Sequence, residues 1–322
     1  MTILVTGAAG FIGMHVAEAL LVRGEDVVGV DNINSYYDVN LKEARLACLS
    51  KYNKFQFKKL DIADQGALFS LKDGVNRIVH LAAQAGVRYS ITNPESYVSS
   101  NLMGHLNVLE FARHIENNLV NMVYASSSSV YGNNTKLPFS VEDRVDNPIS
   151  LYAATKRADE LMSYAYSYNY GLPQIGLRLF TVYGPWGRPD MSAYIFTSKI
   201  LSGKTIPVYK HGDMQRDFTF IDDVVNGILT ALDRPPTNNS SHHQIYNLGN
   251  NKAESLMRYI SIIEKTLGKE AIIDFQPLQT GDVQATYADI KSSQRDLDYY
   301  PSTTIDEGIP RFISWYLEYN KI

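Results

Sequence analysis

The stretch Thr2-Ile3-Leu4-Val5-Thr6 runs directly into Gly7-Ala8-Ala9-Gly10-Phe11-Ile12-Gly13. The first five residues form an apolar run of buried-strand length. The glycines permit a tight turn and let the backbone approach a pyrophosphate. The helix opening there supplies free N–H groups and a positive dipole end. The spacing is G-x-x-G-x-x-G, one residue longer between the first two glycines than the common fingerprint. Helical periodicity follows over Ile12 to Val22, with Ile12, Val16, Ala19 and Leu20 on one face. A second strand, Asp26 to Val30, leads to Asp31, 18 residues after Gly13. An acid there accepts from an adenosine ribose diol and repels a 2′-phosphate. Asn32-Ile33-Asn34 comes next, without an adjacent Arg or Lys, so NAD is expected rather than NADP. A plain strand-to-helix turn is the bland alternative for the glycines alone. The register of strand, glycines, helix and acid favours the dinucleotide.

The same rhythm continues outward. Strands are predicted at Phe55 to Leu60, Arg77 to Leu81, Asn121 to Ala125 and Gln174 to Phe180. Helices at Pro94 to Ile115 and Leu151 to Tyr168 lie between them. Strands alternating with helices predict an α/β chain with a Rossmann-type, doubly wound parallel sheet. Asp61-Ile62 ends the third strand, where an acid can meet the adenine amino group, and the small residues of His80-Leu81-Ala82-Ala83 let a cofactor lie close. Cofactor contacts are therefore expected from Gly7, Gly10, Phe11, Ile12, Gly13, Asp31, Asn32, Asp61, Ile62, Leu81, Ala82 and Ala83.

The rhythm changes after Tyr183. Gly184-Pro185-Trp186-Gly187-Arg188-Pro189-Asp190 is a turn-rich break. Shorter segments follow: strands at Ile206 to Lys210, Gln244 to Leu248 and Ala271 to Phe275, and helices at Asp222 to Leu232, Ser255 to Leu267 and Ile305 to Tyr319. A cofactor domain over residues 1–183 and a smaller C-terminal α/β substrate lobe over residues 184–322 are expected, with some later segments returning to the first domain. Asp233 to Ser241 is read as a polar surface loop, and His242-His243 as solvated within it.

Composition sets the outer bounds. The 322 residues are 45% hydrophobic and 20% charged, with a formal net charge of −4. A disordered chain is excluded, and nothing favours nucleic acid or an anionic membrane as a partner. One cysteine, Cys48, precludes an intrachain disulfide and a four-Cys metal site. Neither a 20-residue apolar run nor a signal-peptide pattern is found, so a cytoplasmic protein is expected. Tyrosine occurs 22 times, against 12 Phe and 2 Trp. Phenols suit half-buried surfaces, and some of them can do chemistry.

Tyr152-Ala153-Ala154-Thr155-Lys156 lies in a predicted helix, so phenol and ammonium share one face at i and i+4. A phenol beside a cation is biased towards the phenolate and can act as a general base near neutral pH. An ordinary surface pair is the alternative for that motif in isolation. Upstream, Ser126-Ser127-Ser128-Ser129-Val130-Tyr131-Gly132 ends a predicted strand with hydroxyls that can bond a substrate hydroxyl.

With these motifs in place the chain resembles the extended short-chain dehydrogenase/reductase family over nearly its whole length. The resemblance rests on the glycine turn, Asp31, Asp61, His80 to Ala83, Asn101, the serine run, Tyr152 with Lys156, and Arg178-Leu179-Phe180. Within the family it is most similar to nucleotide-sugar epimerases of the UDP-glucuronate 4-epimerase group. The resemblance implies Tyr152 as the base on the sugar 4-hydroxyl. It implies Lys156 on the nicotinamide ribose, Ser127 and Ser128 as active-site hydroxyls, and Asn101 beside the cofactor. Arg216 and Asp282 match residues that hold the diphosphate and uridine ribose; an ion pair with Asp217 or Asp222 is the structural alternative for Arg216. Related 4,6-dehydratases and decarboxylases carry an acid where this chain has Ser127, Ser128 and Ser129, so simple epimerisation is implied. Thr181, Ser129, Arg188 and Arg88 are the candidates near a uronate sugar, an Arg being suited to a carboxylate. The implied chemistry takes hydride from C4 to NAD and returns it to the opposite face of a 4-keto sugar. A neutral UDP-glucose or UDP-N-acetylglucosamine 4-epimerase and a non-catalytic NAD-binding sensor are the competing readings. A homodimer pairing the two long helices is also implied.

Overall fold

A computed structural model describes residues 2–72, 74–115, 119–236, 242–277 and 283–322. Its central sheet contains β1 (Thr2–Thr6), β2 (Asp26–Asp31), β3 (Phe55–Lys59), β4 (Val75–His80), β5 (Asn121–Ser127), β6 (Gln174–Leu179) and a late strand, β10 (His243–Leu248). These seven run in the order β10-β6-β5-β4-β1-β2-β3, and each neighbouring pair is parallel. Leu4, Val5, Val30, Val79 and Val123 are buried, as expected of strands covered on both faces. The chain builds one half from β1 outward to β3, then restarts at β4 and builds the other. The strand order therefore reverses between β1 and β4, where α/β sheets open a crevice at the strand carboxyl ends.

The expected helices form: α1 (Phe11–Val22), α6 (Leu151–Tyr170), α8 (Ile221–Asp233), α9 (Leu256–Leu267) and α11 (Ile305–Asn320). The expected helix from Pro94 to Ile115 is broken. Short turns α3 (Tyr89–Thr92) and α4 (Pro94–Tyr97) lead into a π-helix over Val98–Met103, and α5 (Gly104–His114) completes it. Asn101 lies in the π segment and is 1% exposed.

Several elements carry no apolar signature and escape the sequence reading. In α2 (Val39–Leu49) the inward face includes Lys42 and Arg45, both buried, so the hydrophobic periodicity is masked. The small sheet of β7 (Thr181–Tyr183), β9 (Gln215–Phe220) and β11 (Ala253–Ser255) is likewise hidden, because β9 buries Asp217 completely. α7 (Ser192–Leu201) and α10 (Lys291–Leu297) were not expected, while β8 (Ile206–Tyr209) pairs with β12 (Ile273–Gln276) near the anticipated segments.

The β10 strand returns from the C-terminal half to pair with β6 across its full length. This corrects the solvated reading of His243. It is 9% exposed, and its Nε2 lies 2.8 Å from the Tyr124 hydroxyl. Residues 237–241 of the expected polar loop lie outside the described residues.

Candidate active site

A cleft of about 480 Å³ opens at the β1/β4 reversal. Its floor is the turn between β1 and α1. Gly13 cannot carry a side chain there: a Cβ would meet the Gly7 carbonyl oxygen at 2.0 Å. The turn is thus bare backbone at a helix N-terminus, the local structure that suits a pyrophosphate. At the end of β2, Asp31 takes the Ile33 N–H on Oδ1 at 2.8 Å and the Ala9 N–H on Oδ2 at 3.2 Å. Its carboxylate locks the glycine turn against the strand end and raises an acid at the rim. Burial pushes that carboxyl above its ordinary range. Asp61 accepts from Asn32 Nδ2 at 2.8 Å, so the two predicted adenine-side residues are joined. Gly7, Gly10, Phe11, Ile12, Ile62, Leu81, Ala82 and Ala83 line the same wall. Bare turn, acid at the β2 end and small residues at the β4 end together fit a dinucleotide. The residues that would hold it are those just named.

The reactive half faces the ends of β5 and β6. Ser150 caps α6, its Oγ accepting the Ala153 N–H at 3.1 Å, and Tyr152 and Lys156 follow on the cleft side of that helix. The helix is pinned by a buried ion pair. Glu160 accepts Arg178 Nε at 2.8 Å and Nη2 at 3.0 Å, and also the Ser126 hydroxyl at 2.6 Å. Burial works against the Glu160 charge, but these donors hold its carboxyl below the usual range. Ser127, Ser128 and Ser129 line the cleft opposite Tyr152; the Ser127 Oγ accepts the Ser129 N–H at 3.1 Å and fixes the turn. The Tyr97 ring meets Tyr152 edge-on at 6.1 Å. Lys156 Nζ donates to Asp159 Oδ2 at 2.8 Å, with both side chains buried. Burial opposes the ammonium, and the Asp159 carboxylate beside it holds Lys156 protonated.

Thr181, Arg188 and Arg216 line the same cleft. Arg188 makes a two-point ion pair with Asp190, and the Tyr36 hydroxyl donates to Asp190 Oδ2 at 3.1 Å. Arg216 Nη1 donates to the carbonyls of Gln215 at 2.9 Å and Gln284 at 3.0 Å. The acids weighed as its ion-pair partners have commitments of their own. Asp217 accepts backbone N–H groups of Asn250 and Ala288, and Asp222 pairs with Arg311.

Two of the predicted residues stand outside the cleft lining. Asn101 does not line the cleft. Its Oδ1 accepts the Gln84 N–H at 2.8 Å, and its Nδ2 donates to the Gln84 carbonyl and to Thr155 Oγ1, so it braces the wall from behind. Arg88 is likewise absent from the lining, its guanidinium stacked 4.7 Å above the Tyr209 ring. Asp282 lies outside the described residues.

Other residues were missed. Tyr36, Tyr37, Lys42 and Met191 line the cleft. Arg45, fully buried, donates to the carbonyls of Ala9 and Trp186 and to the Tyr37 hydroxyl, tying the glycine turn to the loop that carries Arg188. The available signal was the Tyr36-Tyr37 pair, which belongs to the tyrosine excess; α2 itself offered none. Among the described residues no His/Cys/Asp/Glu group could hold a metal ion, and no helix is long and apolar enough to cross a membrane.

The model of the NAD dependent epimerase/dehydratase family matches residues 3–249. Protein CapI of Staphylococcus aureus is 48% identical over 335 residues, covering 100% of both chains. UDP-glucuronate 4-epimerase 3 of Arabidopsis thaliana is 47% identical over 99% of this chain and 77% of the plant protein. The structure of UDP-glucuronic acid 4-epimerase from Bacillus cereus, in complex with UDP-glucuronic acid and NAD, superposes with a TM-score of 0.92 at 34% identity, covering 99% of this chain and 100% of that one. A UDP-glucose 4-epimerase from Thermotoga maritima superposes at 0.87 with 28% identity, covering 99% and 100%. A glycine turn, an acid at the β2 end and a Tyr/Lys helix in one cleft thus occur in a chain matched end to end by such enzymes, and it belongs to the NAD dependent epimerase/dehydratase family.

Proposed function

We propose that this chain is a UDP-glucuronate 4-epimerase that interconverts UDP-glucuronate and UDP-galacturonate with NAD retained in the cleft. One observation carries the reading. Tyr152 and Lys156 face three serines, with Thr181 and Arg188 on the same cleft and no carboxylate in the serine row. Bound NAD supplies a hydride acceptor for the sugar C4 and later the donor that reduces it. The chain's own groups do the rest. Tyr152 takes the 4-hydroxyl proton and returns it, and Ser127 and Ser128 bond the same oxygen. Arg216, with Asp282, grips the diphosphate and uridine ribose, so the 4-keto sugar can turn over while its nucleotide stays fixed. That intermediate is a β-keto acid prone to lose CO2. Arg188, Thr181 and Ser129 hold the C6 carboxylate away from the geometry that would release it. Elimination and deliberate decarboxylation would need a further acid or base, which the serine row does not provide.

UDP-glucuronate incubated without added NAD should yield UDP-galacturonate at equilibrium, with separation of the two sugars as the readout. No conversion by protein shown to contain NAD would sink the assignment. The likeness to a UDP-glucose 4-epimerase structure favours a second reading, a neutral-hexose epimerase; UDP-glucose assayed in parallel decides between them. We further propose a cytoplasmic homodimer. Leu161, Tyr164 and Tyr168 expose 55%, 52% and 78% of their surface at i, i+3 and i+7 of α6, a stripe suited to a partner helix. Sedimentation as a monomer would exclude it.

A further inference from the structure

We propose that Asp159 is the counter-ion of Lys156 and thereby sets how strongly that ammonium favours ionisation of Tyr152. The inference rests on the reading of Tyr152 as the base. Its geometry is one turn of α6: Asp159 follows Lys156 by three residues and takes its Nζ–H on Oδ2 at 2.8 Å. Only 5% of the Lys156 side chain and 1% of the Asp159 side chain reach solvent. A charge placed there is weakly screened, and its partner decides the field it projects. The second carboxylate oxygen, Asp159 Oδ1, is buried without a hydrogen-bond partner. Its other oxygen bonds the ammonium. Burial pushes the Asp159 carboxyl up to about 6 against the Lys156 charge, so it faces the ammonium as a carboxylate above that pH.

The neighbours leave that role to Asp159. On the same helix Glu160 is committed to Arg178, Arg157 and Ser126. From β4, His80 lies 2.7 Å from the Thr6 hydroxyl; from α5, His105 stacks on His80 at 5.2 Å and reaches the Ser163 hydroxyl at 2.9 Å. Both imidazoles are held neutral, by burial first and then by charges that include Lys156. Tyr124 from β5 and His243 from β10 bond each other. Arg178 from β6 is taken by Glu160. Among the described residues, Asp159 is therefore the acid in direct contact with the catalytic ammonium. Without it Lys156 would project a full uncompensated charge at the phenol four residues away. With it, part of that charge is offset where it faces the phenol.

The test is the pH dependence of kcat for the wild-type holoenzyme, Asp159→Asn and Asp159→Glu, on whichever UDP-sugar the enzyme turns over. Asp159→Asn removes the compensating charge at nearly equal size, so its acid limb should move to lower pH by about one unit. Asp159→Glu should return the limb to within a few tenths of its wild-type position. A lowered kcat with the limb unmoved in Asp159→Asn overturns the proposal and leaves Asp159 a packing residue; unchanged kcat and limb overturn it as well. Should Asp159→Asn fail to fold, Asp159→Ser makes the same charge change with less bulk and is read in the same way. Full turnover by Tyr152→Phe overturns the base assignment itself, independently of any Asp159 variant.

Discussion

Arg188, on the cleft lining, presents both Nε and Nη2 to Asp190, at 2.9 Å from Oδ1 and 2.8 Å from Oδ2. The Tyr36 phenol closes the group by donating to the same carboxylate. Burial would raise the Asp190 carboxyl, yet the neighbouring guanidinium holds it below its usual range. The pair is partly open to water, with 24% and 29% of the two side chains accessible. Such pairs contribute only about 0–1 kcal/mol. On the proposed reading, the C6 carboxylate of the sugar would compete with Asp190 for the guanidinium at small cost.

Arg188→Ala should thus raise KM for UDP-glucuronate by about tenfold to a hundredfold, the loss of a charge-assisted contact. UDP-glucose kinetics should change little. With the carboxylate released, a decarboxylated UDP-pentose should also accumulate. Steady-state assays on both sugars, with chromatography of the products, check this. Equal losses on both sugars would assign Arg188 to the diphosphate.

Gly13→Ala addresses the cofactor end. Its Cβ would fall 2.0 Å from the Gly7 carbonyl oxygen and 2.7 Å from its carbon, contacts to backbone that cannot swing aside. The start of α1 must shift, and the pyrophosphate cradle shifts with it. The variant should fold but be purified with less than a tenth of the wild-type NAD. The nucleotide released on denaturation, measured per mole of chain, is the readout, and a full complement would show that the turn does not hold the cofactor.

How much of this was legible follows from which residues face inward. The β1–α1 turn, the parallel strands and the Tyr152/Lys156 helix announce themselves, because their buried faces are apolar or their spacing is dictated by chemistry. What stays hidden is buried polarity. Arg45 is fully buried and ties the glycine turn to the Arg188 loop, but an arginine in a charged helix reads as surface. Asp217 hides β9 for the same reason. Asn101 was legible as important, but its place was not: only the π-helical turn shows that its amide is spent on Gln84 and Thr155. Part of the tyrosine excess is also explained. Tyr36 packs at a tilt against Tyr89, Tyr89 approaches Tyr97, and Tyr97 meets Tyr152, a run of rings that begins and ends at the cleft.

Tyr152→Phe separates base chemistry from binding. The ring remains, so its edge contact with Tyr97 and the helix packing are kept. Only the proton acceptor is removed. Turnover should fall about a thousandfold, in the range expected for a general base, with NAD content and KM little changed. A loss of NAD or a large rise in KM would instead make Tyr152 a binding residue.

The imidazole column behind the site makes stability depend on pH. His105 is 1% exposed, and burial, followed by the Lys156 charge, pushes it down to about 3. Unfolded, it titrates near 6.5. Below that pH the unfolded chain binds a proton that the native chain refuses, so stability falls with falling pH. Between pH 7.5 and 5 this single group should cost about 2 kcal/mol. His243, pushed down to about 4 by burial, adds to the loss with the same sign. His105→Gln removes one titrating group, and its amide can still reach Ser163. The variant's urea midpoint should therefore decline less steeply over that interval than the wild type's, whatever its stability at pH 7.5. Parallel curves would mean that His105 takes up its proton in the native state and is not held neutral by its surroundings.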